Sequence, residues 1–214
     1  MLGYIYSLSV AESFLLMNKA KNVLVVASEK LSCITDWEDR NTCVLFGDGA
    51  GAAVLQKTPD KSGILSSFLK ADGSLGDLLI LPAGGSRMPA SEKTLKNHEH
   101  YLKMEGNEVF KVAVRRMIEA SQKSIKDAGV DPNDLDLLIP HQANKRIIEA
   151  IRSKLNLTED QVYTNLDHTG NTSAASIAIA MAEAEEMNKI NSGDIINIVS
   201  FGGGFTWAGM TIRW

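Results

Sequence analysis

The sequence has 214 residues, 44% hydrophobic and 22% charged, with a formal net charge of −4; that balance supports a full core in one large or two small domains and excludes a disordered chain. The pI of about 5.6 leaves no basic footprint for nucleic acid, and the longest apolar runs, such as 22–27 and 195–199, are far shorter than the roughly 20 residues a membrane helix needs. Residues 1–11 lack the features of a secretory signal, and Cys33 and Cys43 form no CxxC pattern, so the expectation is a soluble cytoplasmic protein with reduced thiols that act as packing residues.

In chain order, Leu8, Ala11, Leu15 and Leu16 lie at helical spacing over Gly3 to Lys19, and Asn22 to Ala27 reads as a buried strand. A polar loop over 35–41 precedes Cys43 to Phe46, which runs into the small-residue stretch Gly47 to Leu55, suited to close backbone approach. Ile64 to Ala71 reads as a strand, and Gly73 to Asn97, rich in glycine, proline and charge, as an excursion loop. From Met104 to Ala128 the residues Val109, Val112, Ala113, Met117, Ile118 and Ile125 share one helix face, with Gly129 as the stop.

Two strand-then-helix units follow. Asp136 to Ile139 ends at Pro140-His141, and Asn144 opens a helix carrying Ile147, Ile148, Ile151 and Leu155; Val162 to Asn165 leads through His168 and Asn171 to an alanine-rich helix over Ser173 to Met187. Asp194 to Ser200 and Trp207 to Trp214 complete the pattern as strands joined by Phe201-Gly-Gly-Gly-Phe-Thr206. The alternation predicts an α/β layered fold, in which ligand chemistry gathers at the carboxyl ends of strands, where His141 lies.

The runs Pro140-His-Gln-Ala-Asn-Lys-Arg146, His168-Thr-Gly-Asn-Thr-Ser-Ala-Ala-Ser176, Phe46-Gly-Asp-Gly-Ala-Gly-Ala-Ala53 and Phe201-Gly-Gly-Gly-Phe-Thr-Trp207 together resemble β-ketoacyl-acyl-carrier-protein synthase III of the thiolase superfamily. The resemblance runs from Gly3 to Trp214 and matches the later two thirds of such an enzyme, so the chain is expected to lack the first third. It implies a thiolase-like five-layer αβαβα fold with the first half incomplete: residues 1–60 would be the end of that half and 61–214 the whole second half. The implied reaction opens type II fatty-acid synthesis. An acyl group, acetyl by first expectation, passes from coenzyme A to a cysteine and then condenses with malonyl-acyl-carrier protein, with loss of carbon dioxide. No cofactor or metal is implied beyond the coenzyme A thioester as substrate, and the expected assembly is a homodimer.

By the same resemblance, His141 and Asn171 would bind the malonyl thioester carbonyl, and the loop Gly203, Gly204 and Phe205 would help form an oxyanion hole from backbone N–H groups. Arg40 would meet the adenine end of coenzyme A, Met104 and Asn144 would line the pantetheine tunnel, and Lys111, Arg146 and Lys154 would face the acidic carrier protein. The nucleophile departs from the pattern. Met1 of Met1-Leu-Gly-Tyr4 stands where the cysteine is expected, and a thioether cannot form a thioester, so this chain is expected to be inactive in condensation.

Plainer readings accompany each residue. A histidine after a strand is usually a hydrogen-bonded structural group, an asparagine before a helix a cap, a glycine triplet a turn, and surface lysines and arginines solvated helix faces. Gly47 to Ala53 lacks the Lys-Ser/Thr ending of a phosphate loop. His98 and His100 have no third ligand beside them and read as solvated surface, and His168 as structural. Two further functions therefore stand beside the synthase: a non-condensing protein that binds thioesters or carrier protein and retains malonyl decarboxylation, and a structural fragment whose free sheet edges promote association. A chalcone-synthase-like or hydroxymethylglutaryl-forming condenser is the weaker relative, since the residues around its histidine and asparagine usually differ.

Overall fold

The computed structural model describes residues 1–214. Helix α1 (Gly3–Leu16) buries Tyr4, Ile5, Leu8, Ala11 and Leu15, a spacing that turns one stripe inward. Leu16, expected on that stripe, is 66% exposed, because the next residue on a helix is rotated by about 100° from Leu15.

Strand β1 (Asn22–Lys30) pairs antiparallel with β2 (Asp48–Gln56), in register from Asn22↔Gln56 to Lys30↔Asp48. The expectation of a fully buried β1 is wrong: Val25 and Ala27 face inward, while Leu24 and Val26 are exposed, as the alternation of a strand dictates when only one face is covered. Cys43 to Leu45 form a turn, and Phe46 makes a single bridge to Asn171. Cys33 is exposed and Cys43 half-buried, so Cys33 is not a packing residue; its thiol instead lies 2.9 Å from the Lys30 carbonyl.

The second sheet has four strands. Strand β3 (Gly63–Ala71) lies at one edge and is followed, in spatial order, by Thr206–Arg213, Ile195–Gly202 and Leu137–Pro140. Between β3 and the last three strands in sequence lie β4 (Leu79–Ile80), α2 (Glu92–Lys96), β5 (Lys103–Met104) and α3 (Gly106–Asp127). The stretch expected as a loop over 73–97 is therefore partly structured: a 3-10 turn covers Gly73–Leu78, and β4 pairs with β5. Strand β6 (Leu137–Pro140) is followed by α4 (Lys145–Lys154), α5 (Leu166–Thr169), α6 (Ala175–Glu186), β7 (Ile195–Gly202) and β8 (Thr206–Arg213). Strand β6 is parallel to β7, and the other pairings are antiparallel. Residues 162–165 form no strand; Val162 makes one parallel bridge to Leu138.

Helices α3 and α4 cover one face of the four-stranded sheet, and α1 and α6 fill the space between its other face and the β1–β2 pair. Two cores result, one around α1, α6 and both sheets and the other between α3, α4 and the four-stranded sheet. Close packing fixes two glycines. A Cβ on Gly209 of β8 would lie 2.3 Å from the Ala120 carbonyl oxygen of α3, and one on Gly51 of β2 would lie 2.6 Å from the Ala178 Cβ of α6.

A polar cluster locks α3 to the sheet. Asn197, fully buried on β7, accepts from Ser121 Oγ at 2.7 Å and donates to Ser124 Oγ at 2.8 Å and Thr211 Oγ1 at 3.1 Å. Every member is satisfied, the condition under which a buried polar network stabilises rather than costs. Asn197→Leu leaves buried hydroxyls without partners, and should lower unfolding free energy by at least about 2 kcal/mol, read as a reduced urea midpoint at unchanged slope; a change below about 0.5 kcal/mol would deny the network this role.

Candidate active site

The site forms where β6 and β7 end. His141 directly follows β6, and its backbone N–H donates to the Val199 carbonyl of β7 at 2.8 Å, which fixes the ring at the sheet's carboxyl edge. Gln142, fully buried, holds the next turn. Its Nε2 donates to the carbonyls of Pro140 (2.7 Å) and Tyr163 (3.3 Å), and its Oε1 accepts from Thr164 Oγ1 and the Asn165 N–H, both at 3.1 Å.

Asn171 reaches the same place by another route. Its N–H donates to the Leu45 carbonyl and its own carbonyl accepts from the Gly47 N–H, each at 2.9 Å, so it is stitched to the turn before β2. Its Oδ1 accepts from the Ser173 N–H at 3.0 Å. Asn171 therefore caps the turn that precedes α6, not α6 itself, whose N-cap Ala174 makes no side-chain bond.

His141 is 1% exposed. Its Nδ1 lies 2.6 Å from Ser176 Oγ on α6, and its Nε2, equally buried, has no hydrogen-bond partner. Burial penalises the charged ring and pushes its pKa down to about 3, so the imidazole is neutral at physiological pH. His141 and Asn171 both line a cavity of about 590 Å³, together with Met1, Phe46, Leu79, Val109, Met117 and Phe201. The Met1 carbonyl accepts from Ser200 Oγ at 3.3 Å, and a Cβ on Gly202 would come within 2.7 Å of the Met1 Cβ. Gly202 thus leaves room for whatever side chain stands at position 1.

Of the other expected residues, Met104, Asn144 and Arg146 line this cavity. Asn144 is also the N-cap of α4, its Oδ1 accepting from the Arg146 N–H at 2.8 Å, and the Arg146 guanidinium lies 5.0 Å from the centre of the Phe110 ring. Arg40 is exposed and does not line the cavity, although its neighbours Asp39 and Asn41 do. Lys111 is exposed and paired with Glu108 at 2.7 Å. Lys154, also exposed, ends α4, about 12 Å along the helix from Arg146.

Within the glycine loop only the Phe205 amide departs from the expected role, since the N–H groups of Gly203 and Gly204 donate to no backbone carbonyl. Gly203, Gly204 and Phe205 do not line the cavity, and the Phe205 N–H donates to the Asp72 carbonyl at 2.7 Å. That amide is engaged and is not a free oxyanion donor. His98 and His100 are half-buried and bonded, contrary to the reading as solvated surface: His98 Nδ1 lies 3.1 Å from Asp36 Oδ2, and His100 Nε2 lies 2.9 Å from Thr94 Oγ1. The ligand atoms of Asp36, Glu38 and His98 lie within 4.8 Å of one another, but Lys103 Nζ stands 3.5 Å from the same Asp36 oxygen, a cation where a metal would need none. His168 joins Asp167 (3.0 Å) and Glu183 (3.3 Å) outside the cavity, in keeping with a structural role. Ser176 and Gln142 lie inside the runs that carry the resemblance, yet their partners are set by contacts that spacing does not reveal.

Over 99% of its length the chain superposes on two solved synthases. One is 3-oxoacyl-[acyl-carrier-protein] synthase III from Aquifex aeolicus, with TM-score 0.88 and 48% identity, 64% of that chain being covered. The other is β-ketoacyl-[acyl carrier protein] synthase III from Thermus thermophilus, with TM-score 0.89 and 42% identity, 65% being covered. The fold is therefore that of the thiolase-like α/β enzymes. The family model described as 3-oxoacyl-[acyl-carrier-protein (ACP)] synthase III matches residues 1–73, and the one described as its C terminal matches 125–214. A β-ketoacyl-[acyl-carrier-protein] synthase III from Caldanaerobacter subterraneus subsp. tengcongensis is 55% identical over 212 residues. The chain belongs to the β-ketoacyl-acyl-carrier-protein synthase III family, and it spans 64% of the length of that relative. No helix is long and apolar enough to cross a membrane.

The state of His141 sets a pH dependence. The folded ring takes up a proton only near pH 3, whereas the unfolded ring does so near 6.5. Acid therefore favours the unfolded chain: stability is full above 6.5 and falls between 6.5 and 3 by up to roughly 1.4 kcal/mol per pH unit from this group. From pH 7 to pH 5, wild type should lose about 2 kcal/mol more than His141→Gln in urea denaturation. Parallel losses in the two chains would mean that the ring is not buried neutral.

Proposed function

We propose that the cavity binds a malonyl thioester and stabilises the enolate formed when it loses carbon dioxide. The observation that carries this reading is that His141, whose Nε2 has no hydrogen-bond partner, and Asn171 line the same cavity. On decarboxylation the carbon–carbon bond breaks, its electron pair moves into the thioester, and negative charge grows on the carbonyl oxygen. His141 Nε2–H and Asn171 Nδ2–H would both donate to that oxygen, as donors fixed in a water-poor site before the charge appears. A neutral imidazole suits this role. It donates a hydrogen bond without giving up a proton.

In the complete reaction of the family, the enolate attacks an acyl group delivered from acyl-coenzyme A to a cysteine, and a 3-oxoacyl-carrier protein leaves. The substrates would be acyl-coenzyme A and malonyl-acyl-carrier protein, with no cofactor. Met104 and Asn144, both lining the cavity, would flank the pantetheine arm. Arg40 would meet the adenine end from outside the cavity, and Arg146, with Lys111 and Lys154 on the same helical layer, would face the acidic carrier. Residues 1–60 and 61–214 would act as the two units of the fold. Met1 supports the non-condensing reading for this chain, because its thioether cannot carry the acyl group. The exposed Val10, Phe14, Leu24 and Val26 support self-association.

Purified chain should release carbon dioxide from malonyl-coenzyme A, and His141→Ala and Asn171→Ala should each slow that release by about 100-fold. Equal rates in all three chains would refute the pair. Incubation with acetyl-coenzyme A should leave the intact mass unchanged. A hydroxylamine-labile acetyl group on Cys33 or Cys43 would place the acyl chemistry elsewhere.

A further inference from the structure

The geometry points to Ser176 as the positioning residue that fixes the tautomer of His141, so that the ring presents Nε2–H to the cavity; its consequence for catalysis rests on the decarboxylation reading above. Ser176 lies in the first turn of α6 and is 2% exposed. Its Oγ stands 2.6 Å from His141 Nδ1 and accepts the backbone N–H of Gln142 at 3.4 Å. No other hydrogen bond is made by this hydroxyl.

That arrangement decides where the protons lie. A neutral imidazole carries one N–H, on either nitrogen. With the proton on Nδ1, Ser176 Oγ would receive two N–H donors and its own hydroxyl hydrogen would be buried with no acceptor, while Nε2 would offer the cavity only a lone pair. Such a lone pair would repel a growing oxyanion. With the proton on Nε2, Ser176 donates to Nδ1 and the Gln142 N–H fills an oxygen lone pair, so Nε2–H alone lacks a partner, where the other tautomer leaves both the serine hydrogen and the Nε2 lone pair unmatched. Burying an unmatched polar group is the costlier choice, so the second state prevails. The family pair thus becomes a four-residue device: Gln142 orients the serine, the serine sets the histidine, and the histidine with Asn171 faces the substrate.

The test uses the whole chain labelled with ¹⁵N-histidine. There are four histidines, and the signal of His141 is the one lost in His141→Gln. Long-range ¹H–¹⁵N spectra should show His141 as the Nε2–H tautomer, Ser176→Ala should move the ratio toward Nδ1–H by roughly 3- to 10-fold, the equivalent of one net hydrogen bond, and Ser176→Thr should restore it. In malonyl-coenzyme A decarboxylation, Ser176→Ala should lower kcat by a similar roughly 3- to 10-fold with KM within about twofold. An Nδ1–H tautomer in wild type, or an unchanged ratio in Ser176→Ala, overturns the inference. If Ser176→Ala does not fold, Ser176→Cys, similar in volume and a poor donor, is read in its place, and the wild-type tautomer still decides. Failure here is distinct from failure of the functional reading. A ratio that follows Ser176 in a chain that releases no carbon dioxide upholds the serine and refutes the malonyl site, whereas decarboxylation with a ratio indifferent to Ser176 does the reverse.

Discussion

One buried, uncharged imidazole organises this molecule. His141 sits at the end of β6 with 1% of its surface exposed, and an ionised ring there would have neither water nor a carboxylate to offset its desolvation. The ring is kept neutral by burial, held on one side by a serine and left free on the other. That asymmetry requires a strand end to place the backbone, a helix to bring the hydroxyl, and a cavity on the remaining face.

The layers meet these demands together. The parallel pairing of β6 with β7 carries the His141 N–H to Val199, as expected where ligand sites gather at the carboxyl ends of strands. Helix α6 must lie close to both sheets for Ser176 to reach the ring. Its alanines allow this, and the bare Cα of Gly51 admits Ala178 at a distance that a side chain would forbid. On the other face of the four-stranded sheet, the Asn197 cluster locks α3, which supplies Val109 and Met117 to the cavity wall. Fold and site therefore share contacts, and disturbance of the small-residue packing beneath α6 would be felt at His141.

Much of this was legible in the sequence, for identifiable reasons. Helices α3 and α4 have strong apolar spacing, α1 and α6 are apolar nearly all round and α6 is marked by its alanines, and β7 and β8 meet at a glycine triplet. His141, Asn171 and Asn144 were marked by motif and Met104 by the resemblance, and all four line one cavity, which Arg146, expected on a carrier-facing surface, also lines. What spacing could not supply was the partner of each group. Nothing local marks Ser176 as the residue beside Nδ1, because the contact spans 35 positions. Nor does the sequence reveal that the Phe205 amide is engaged by Asp72, or that Asn197 in an apolar strand is satisfied by two serines and a threonine. The misreading of β1 has a simpler origin. A run of valines and leucines looks buried on both faces, yet only what packs against it decides, and here only α1 and α6 do, from one side.

In the proposed reaction two donors, on His141 and Asn171, converge on one oxygen of a thioester. A crystal structure with a malonyl-coenzyme A analogue that cannot decarboxylate tests it most directly. The thioester carbonyl oxygen should lie about 2.7–3.1 Å from both His141 Nε2 and Asn171 Nδ2. A thioester bound elsewhere, or a carbonyl that reaches neither nitrogen, would contradict it.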